Sequence, residues 1–168
     1  SGTLRLSIAS VLTKSFLMYK ISEFARIRNA INLHLDISDQ LTDIIGNGMD
    51  LAIRIGNLRD SSLKAKKIYS FKRKLVASPG FLKGKKVKSP SDLKSYRWIG
   101  TNLLPNSRVF ICGKKKERVS YSPSIVVNSV EAAYTLCLHG AGIYSPPDFL
   151  TDNALKSGQV LELLPGWS

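Results

Sequence analysis

Three short segments within the first 56 residues alternate apolar and polar side chains, and the stretches between them do not: residues 4–9 (LRLSIA), 31–37 (INLHLDI) and 51–55 (LAIRI). A period of two suits strands. Between the first two segments, Leu12, Phe16, Tyr19, Phe24 and Ile27, with Met18, Ile21 and Ala25, recur at helical spacing and predict a helix over 12–29. Between the second and third, Ser38 and Asp39 are placed to cap a helix with Leu41, Ile44 and Ile45 on its buried side, ended by Gly46 and Gly48. Strand, helix, strand, helix, strand on short connections leaves few topologies: right-handed crossovers and a parallel sheet, hence an α/β fold.

After Asp60 the texture changes, and a second unit is expected to begin. Residues 63–69 (LKAKKIY) and 72–78 (KRKLVAS) read as two more strands, and Pro79, Gly80, Gly84 and Pro90 punctuate the next stretch of chain. A short helix over 91–96, a strand at 98–99, and a hairpin of 109–112 with 118–121 across the charged turn 113–117 come next. Residues 125–127 read as a strand leading into Asn128, which with Glu131 resembles a capping box for a helix over 129–139, closed by Gly140. A strand at 143–144 stops at Pro146-Pro147, and a helix over 149–156 and a strand over 160–164 finish the chain.

The 168 residues are 43% hydrophobic, which excludes global disorder, yet Lys and Arg outnumber Asp and Glu by 25 to 12. The surplus is local: residues 59–118 hold 18 Lys and Arg against 3 Asp and Glu, and the remaining residues hold 7 against 9. That partition suits two lobes of different electrostatics better than a uniformly basic nucleic-acid coat. Lys64, Lys66, Lys67, Lys83, Lys85, Lys86, Lys88 and 114–116 are either a solvated surface or an anion-attracting face. Few aromatics interleave with them, which disfavours a single-strand binder. No apolar stretch approaches the ~20 residues of a membrane span, and SGTLRLSIAS lacks the basic and apolar regions of an export signal, so a cytoplasmic protein without membrane partners is expected. Two cysteines, Cys112 and Cys137, are too few for a disulfide framework and read as reduced.

Catalytic chemistry finds little to work with. The G-x-S-x-G of a strained nucleophile turn is missing. His34 lies mid-strand and His139 closes a helix, and the cysteines lack the paired spacing of a zinc site, so neither catalysis, metal nor cofactor is expected. Gly46-Asn47-Gly48 has Leu51 where a dinucleotide loop needs its third glycine, and reads as a turn. Polar residues at strand-to-helix junctions remain: Ser10 and Thr13, Ser38 and Asp39, Gly56, Thr101 and Asn102, Asn128 and Ser129. In open α/β sheets, ligands collect outside the carboxyl ends of strands, where helix amino termini offer N–H groups to anions.

The order of motifs is GTLRLSIAS, SDQLTDIIGNGMDLAIRIGNLRDSSLKAKKI, KLVASPGFL, P-S-D-L before a Trp, VVNSVEAAYTLCLHGAGI and PPDFLTDNALKSGQVLELLPGW. This closely resembles the effector-binding domain of LysR-type transcriptional regulators over essentially the whole chain. The resemblance implies a type 2 periplasmic-binding-protein-like fold of two α/β subdomains joined by crossovers near 75–78 and 145–149. Lobe one would hold about 1–74 and 149–168, with the tail 160–164 paired back onto it, and lobe two about 75–148. It further implies a small-molecule effector between the lobes, and a homodimer through the helices over 12–29 and 129–139, whose apolar side chains otherwise all face the core. DNA would be bound only through a winged helix-turn-helix outside these residues.

Carried over by position, the effector residues are Ser10, Val11, Thr13, Ser38, Asp39, Arg54, Gly56, Thr101, Asn102, Asn128, Ser129 and Pro146, with Arg54 also able to serve as a structural partner of the sheet. The effector is a small polar molecule, with an anion suited to the serine, threonine and amide groups as readily as a neutral solute. The redox-sensing branch of the family uses a cysteine pair for which Cys112 and Cys137 show no local motif. A solute-binding protein of a transport system shares the fold and is the alternative; a small α/β enzyme is a third reading.

Overall fold

The computed structural model describes residues 2–39, 46–56 and 64–168, which form two compact units, Ser1–Ser70 and Phe71–Ser168. The helix expected after Ser38 and Asp39, and the D-S-S-L run, lie outside the described residues.

In the first unit, β1 (Gly2–Ile8) precedes a 3-10 turn (Ser10–Lys14) and α1 (Leu17–Ile27), followed by β2 (Ile31–Ile37) and β3 (Leu51–Ile53). The sheet order is β2-β1-β3, and both pairings are parallel, as the short connections required. The central strand has neighbours on both sides, and Leu6, Ser7 and Ile8 at its carboxyl end are buried. The helix expected over 12–29 is two pieces. Ser15 is extended at φ −98°, ψ 178°, its hydroxyl donates to Leu12 O at 2.7 Å and accepts from Leu17 N at 3.2 Å, so a local side-chain bond displaces the helical ladder there.

The second unit opens with β4 (Val76–Ala77) and the short α2 (Pro79–Leu82), followed by a 3-10 turn (Pro90–Ser95), β5 (Ile99–Thr101), the hairpin β6 (Ser107–Cys112) and β7 (Lys115–Ser120), β8 (Ile125–Val127), α3 (Val130–Leu138), α4 (Asp148–Lys156) and β9 (Leu161–Glu162). β5 and β8 pair in parallel, Thr101 opposite Val127. Leu75, Ala77, Leu82, Leu93, Trp98, Phe110, Val119, Ile143, Leu163 and Leu164 form one buried cluster.

Several expectations are corrected. Residues 64–70 form no strand: all seven are exposed, and apolar residues interleaved with lysines and lacking a pairing edge have nothing to hold them extended. The hairpin turn is shorter than 113–117. Gly113 adopts φ +57°, and Lys115, Lys116 and Glu117 pair with Cys112, Ile111 and Phe110, since a strand facing water accepts charges as readily as a loop does. The cap of α3 is Ser129, not Asn128: its hydroxyl accepts from Ala132 N at 3.2 Å and donates to Glu131 at 3.2 Å. The tail is held in place by backbone pairing. β9 pairs antiparallel with β4, Leu163 N donates to Leu75 O at 2.8 Å, and Ile111 and Ser168 exchange two backbone bonds of 2.9 Å.

Candidate functional site

Parallel pairing places the carboxyl ends of β1, β2 and β3 at one edge, and seven of the expected residues follow those ends. Ser10 N donates to Asp39 Oδ1 at 2.8 Å, and Thr13 Oγ1 donates to Ser10 O at 2.7 Å. Ser38 N donates to Ile8 O at 3.0 Å, continuing the ladder beyond β2. Val11 is 3% exposed and serves the core. Arg54 straps the edge together: Nη1 donates to Ser38 O and Nη2 to Ser7 Oγ at 2.6 Å, while Ser7 Oγ donates to Asp36 Oδ2 at 3.1 Å. A guanidinium with donors in a planar fork suits this bridging, and Arg54 therefore has a structural role in the sheet. Gly56 adopts φ +121°, a conformation a side chain would strain.

The same logic repeats inside the second unit. Thr101 ends β5, Asn102 N donates to Val127 O at 3.2 Å, and the exposed Asn128 and the capping Ser129 follow β8. Thr101 is 3% exposed and its hydroxyl has no hydrogen-bond partner. Pro146 is fully buried, offering its carbonyl to Lys74 N at 3.2 Å.

Beside Thr101 the second unit contains a cavity of about 820 Å³. Trp98, Ile99, Leu104, Val109 and Tyr121 supply apolar wall, with the Trp98 and Tyr121 rings stacked 3.8 Å apart and 6° from parallel. Its polar groups converge on Ser145. Arg73 Nη2 donates to Ser145 O, Arg108 Nη1 donates to Ser145 Oγ, and Arg108 Nη2 donates to Arg73 O at 2.9 Å. Burial lowers the pKa of both arginines, and the charge of Arg73 lowers that of Arg108 further. Burial raises the pKa of Tyr144 and Tyr121, against the pull of the neighbouring guanidinium, so both remain hydroxyl donors at neutral pH. Tyr144 Oη is buried against the Arg73 guanidinium, and Thr101 Oγ1 has no partner.

Sequence reasoning missed Arg73, Arg108, Tyr144 and Ser145. The signal is slight: an arginine between two lysines at 72–74, where the guanidinium is the better cation for burial and forked bonding. Cys112 is exposed and Cys137 buried, both free, and burial pushes the Cys137 thiol up to about 12, leaving it unreactive at neutral pH. Among the described residues no cluster of His, Cys, Asp and Glu could hold a metal ion, and no helix is long and apolar enough to cross a membrane.

A family described as the LysR substrate binding domain matches residues 1–168. The chain is 34% identical over 170 residues to the HTH-type transcriptional regulator PtxR of Pseudomonas aeruginosa, an alignment covering 99% of this chain and 54% of that protein. It is 31% identical over 174 residues to the HTH-type regulator YhjC of Escherichia coli, covering 99% of this chain and 58% of that protein. Among solved structures, the full-length Vibrio cholerae virulence activator AphB superposes with a TM-score of 0.88 at 28% identity, covering 100% of this chain and 58% of that one. The regulator CrgA of Neisseria meningitidis superposes with a TM-score of 0.84 at 27% identity, covering 98% and 57%. The chain thus spans somewhat over half the length of these relatives.

Proposed function

Because the chain belongs to the LysR substrate-binding-domain family, with a match over residues 1–168, we propose that it is the effector-sensing part of a longer LysR-type transcriptional regulator. The full-length family match carries this reading, and the periplasmic-binding-protein-like α/β fold shared with AphB and CrgA agrees with it. The relatives are transcriptional regulators rather than enzymes or transport proteins. In the first unit the strand-end residues Ser10, Thr13, Ser38 and Gly56 form a polar edge for effector contact, with Asp39 holding the Ser10 amide in place; in the second, Thr101, Asn102, Asn128 and Ser129 form another. The effector acts only through its unequal affinity for two arrangements of the regulator.

DNA is bound, on this reading, by a segment preceding these residues, and the protein works in the cytoplasm. Sequencing the upstream coding region tests it: a helix-turn-helix is expected, and deleting it should abolish sequence-specific DNA binding while leaving this chain folded. An export signal in its place overturns the reading in favour of a solute-binding protein.

A homodimer is the second part of the proposal. Val130, Ala133, Tyr134 and Cys137 of α3 face their own unit's core, whereas α1 buries none of its residues and leaves Tyr19, Phe24 and Ile27 exposed by 61%, 38% and 67%, with Phe16 just before it exposed by 53%. A stripe of that kind marks an interaction surface, and a second copy is the partner a closed symmetric assembly supplies. In sedimentation at about 50 μM, a concentration that detects μM association, the chain should run as a dimer and Ile27→Asp as a monomer. A monomeric unaltered chain refutes the dimer.

A further inference from the structure

Arg73 and Arg108 lie side by side in the wall of the second unit's cavity, and among the described residues neither forms an ion pair. Their hydrogen bonds go to neutral acceptors, among them Ser145 O, Ser145 Oγ and Arg73 O, with the Tyr144 hydroxyl beside Arg73. Neutral acceptors orient a guanidinium without neutralising it, and a half-buried cation beside another is costly unless an anion joins them. Both guanidiniums are partly desolvated by burial, and the charge of Arg73 lowers the pKa of Arg108 further, against a smaller opposing pull from Tyr121 and Glu162. Glu162 supplies the only acidic side chain in the lining; its charge pulls weakly on Arg108, but it makes no salt bridge to either arginine.

A guanidinium carries five N–H donors, so the pair retains most of its capacity after these bonds. Tyr144, 3% exposed, sits beside Arg73, whose guanidinium its hydroxyl faces while keeping its own O–H to donate, and Thr101 is likewise 3% exposed with its Oγ1 unpartnered. Two fixed forks and spare hydroxyls make a receptor for an oxyanion. The remaining wall, with Trp98, Ile99, Leu104 and Val109, is apolar and suits a hydrocarbon body, and about 820 Å³ lies within the usual range of small-molecule sites.

We infer that this cavity binds a small organic acid, its carboxylate held by Arg73 and Arg108 beside Ser145 and Tyr144, and its apolar body laid against Trp98 and Val109. The inference rests on the effector-sensing reading and names the chemical class of the effector. Carboxylate and phosphate share the chemistry a guanidinium fork recognises, and the apolar wall selects an organic acid over a free inorganic anion.

The test is calorimetric titration of the 168-residue chain with benzoate, hexanoate and succinate, with benzamide and hexanamide as neutral counterparts and inorganic phosphate as a bare anion. At least one acid should bind about tenfold or more tightly than its amide, and than phosphate, as expected for charge-assisted bonds to a buried cation. Arg108→Gln should weaken that acid by roughly ten- to a hundredfold, Arg108→Lys should restore part of the loss, and Lys114→Gln, on the exposed hairpin turn, should change nothing. If Arg108→Gln does not fold, the acid-to-amide ratio in the unaltered chain decides alone. Equal binding of acid and amide, phosphate binding as tightly as the acids, an Arg108→Gln variant that folds and binds like the parent, or no acid binding below about 10 mM each overturns the assignment. A regulator with a neutral effector would fail here and still carry the upstream helix-turn-helix, so the two readings fail separately.

Discussion

Phe110→Ala is expected to cost about 3–5 kcal/mol and to lower the melting temperature by roughly 10 °C, because truncating a buried aromatic removes its transfer energy and leaves a cavity that close-packed neighbours fill only partly. Phe110 is 1% exposed on β6, in the cluster with Trp98, Leu93 and Val119. The Arg108 guanidinium lies 5.1 Å from the centre of its ring. The same substitution therefore removes a support from one of the two cavity arginines, and acid binding should weaken along with stability. Phe110→Leu keeps most of the volume and should cost less than about 1.5 kcal/mol. Scanning calorimetry checks both. A shift under about 2 °C for Phe110→Ala would show that the residue is not packed as described.

The second large effect is expected at Gly142, where an added Cβ would stand 2.8 Å from Arg97 O and 3.3 Å from Ile99 Cγ1. Backbone cannot swing aside as a flexible side chain does. Arg97 O also accepts from Ile143 N at 2.9 Å, and Ile99 N donates to Ile143 O at 3.0 Å, so retreat of the carbonyl breaks the ladder that joins this segment to β5. Gly142→Ala should destabilise by about 2–3 kcal/mol or leave the chain insoluble. Gly80, inside α2, has nothing within 4 Å of such a Cβ and no positive φ. Gly80→Ala should raise stability by about 0.5–1 kcal/mol, through helix propensity and a less flexible unfolded chain. Denaturant titration of the pair gives opposite signs if the packing is right, and equal midpoints if it is not.

Much of the local architecture is legible in the residues. β2 occupies 31–37, the segment its alternation marks, because one face of that strand is more buried than the other and a slip by one residue would exchange them. β8 at 125–127 and α4, expected from 149 and observed from 148, agree for the same kind of reason: each element's own pattern decides it. The misreadings share a cause as well. Ser15 interrupts the helical period through bonds of its own hydroxyl, which no count of apolar spacing registers. Charge at 115–117 suggests a turn because charge reports exposure, and exposure is common to loops and to outward-facing strands.

The candidate site divides along the same line. Strand ends are local features, so Ser10, Ser38, Thr101 and Ser129 can be assigned to junctions from residue pattern alone. Whether a junction residue is open to a ligand or already engaged depends on distant partners: Asp39 is committed to the Ser10 amide and Arg54 to Ser38 and Ser7, contacts that span 29, 16 and 47 residues. Periodicity, caps and turn residues act over a few neighbours, and they suffice to specify a parallel α/β unit followed by a second, basic one. Tertiary packing alone returns β9 to β4, and it alone brings Arg73, Arg108 and Ser145, separated by 35 and 37 residues, into one wall where, among the described residues, neither arginine forms an ion pair. Such convergence depends on how desolvated surfaces pack across long loops, and no residue's immediate neighbours carry a trace of it.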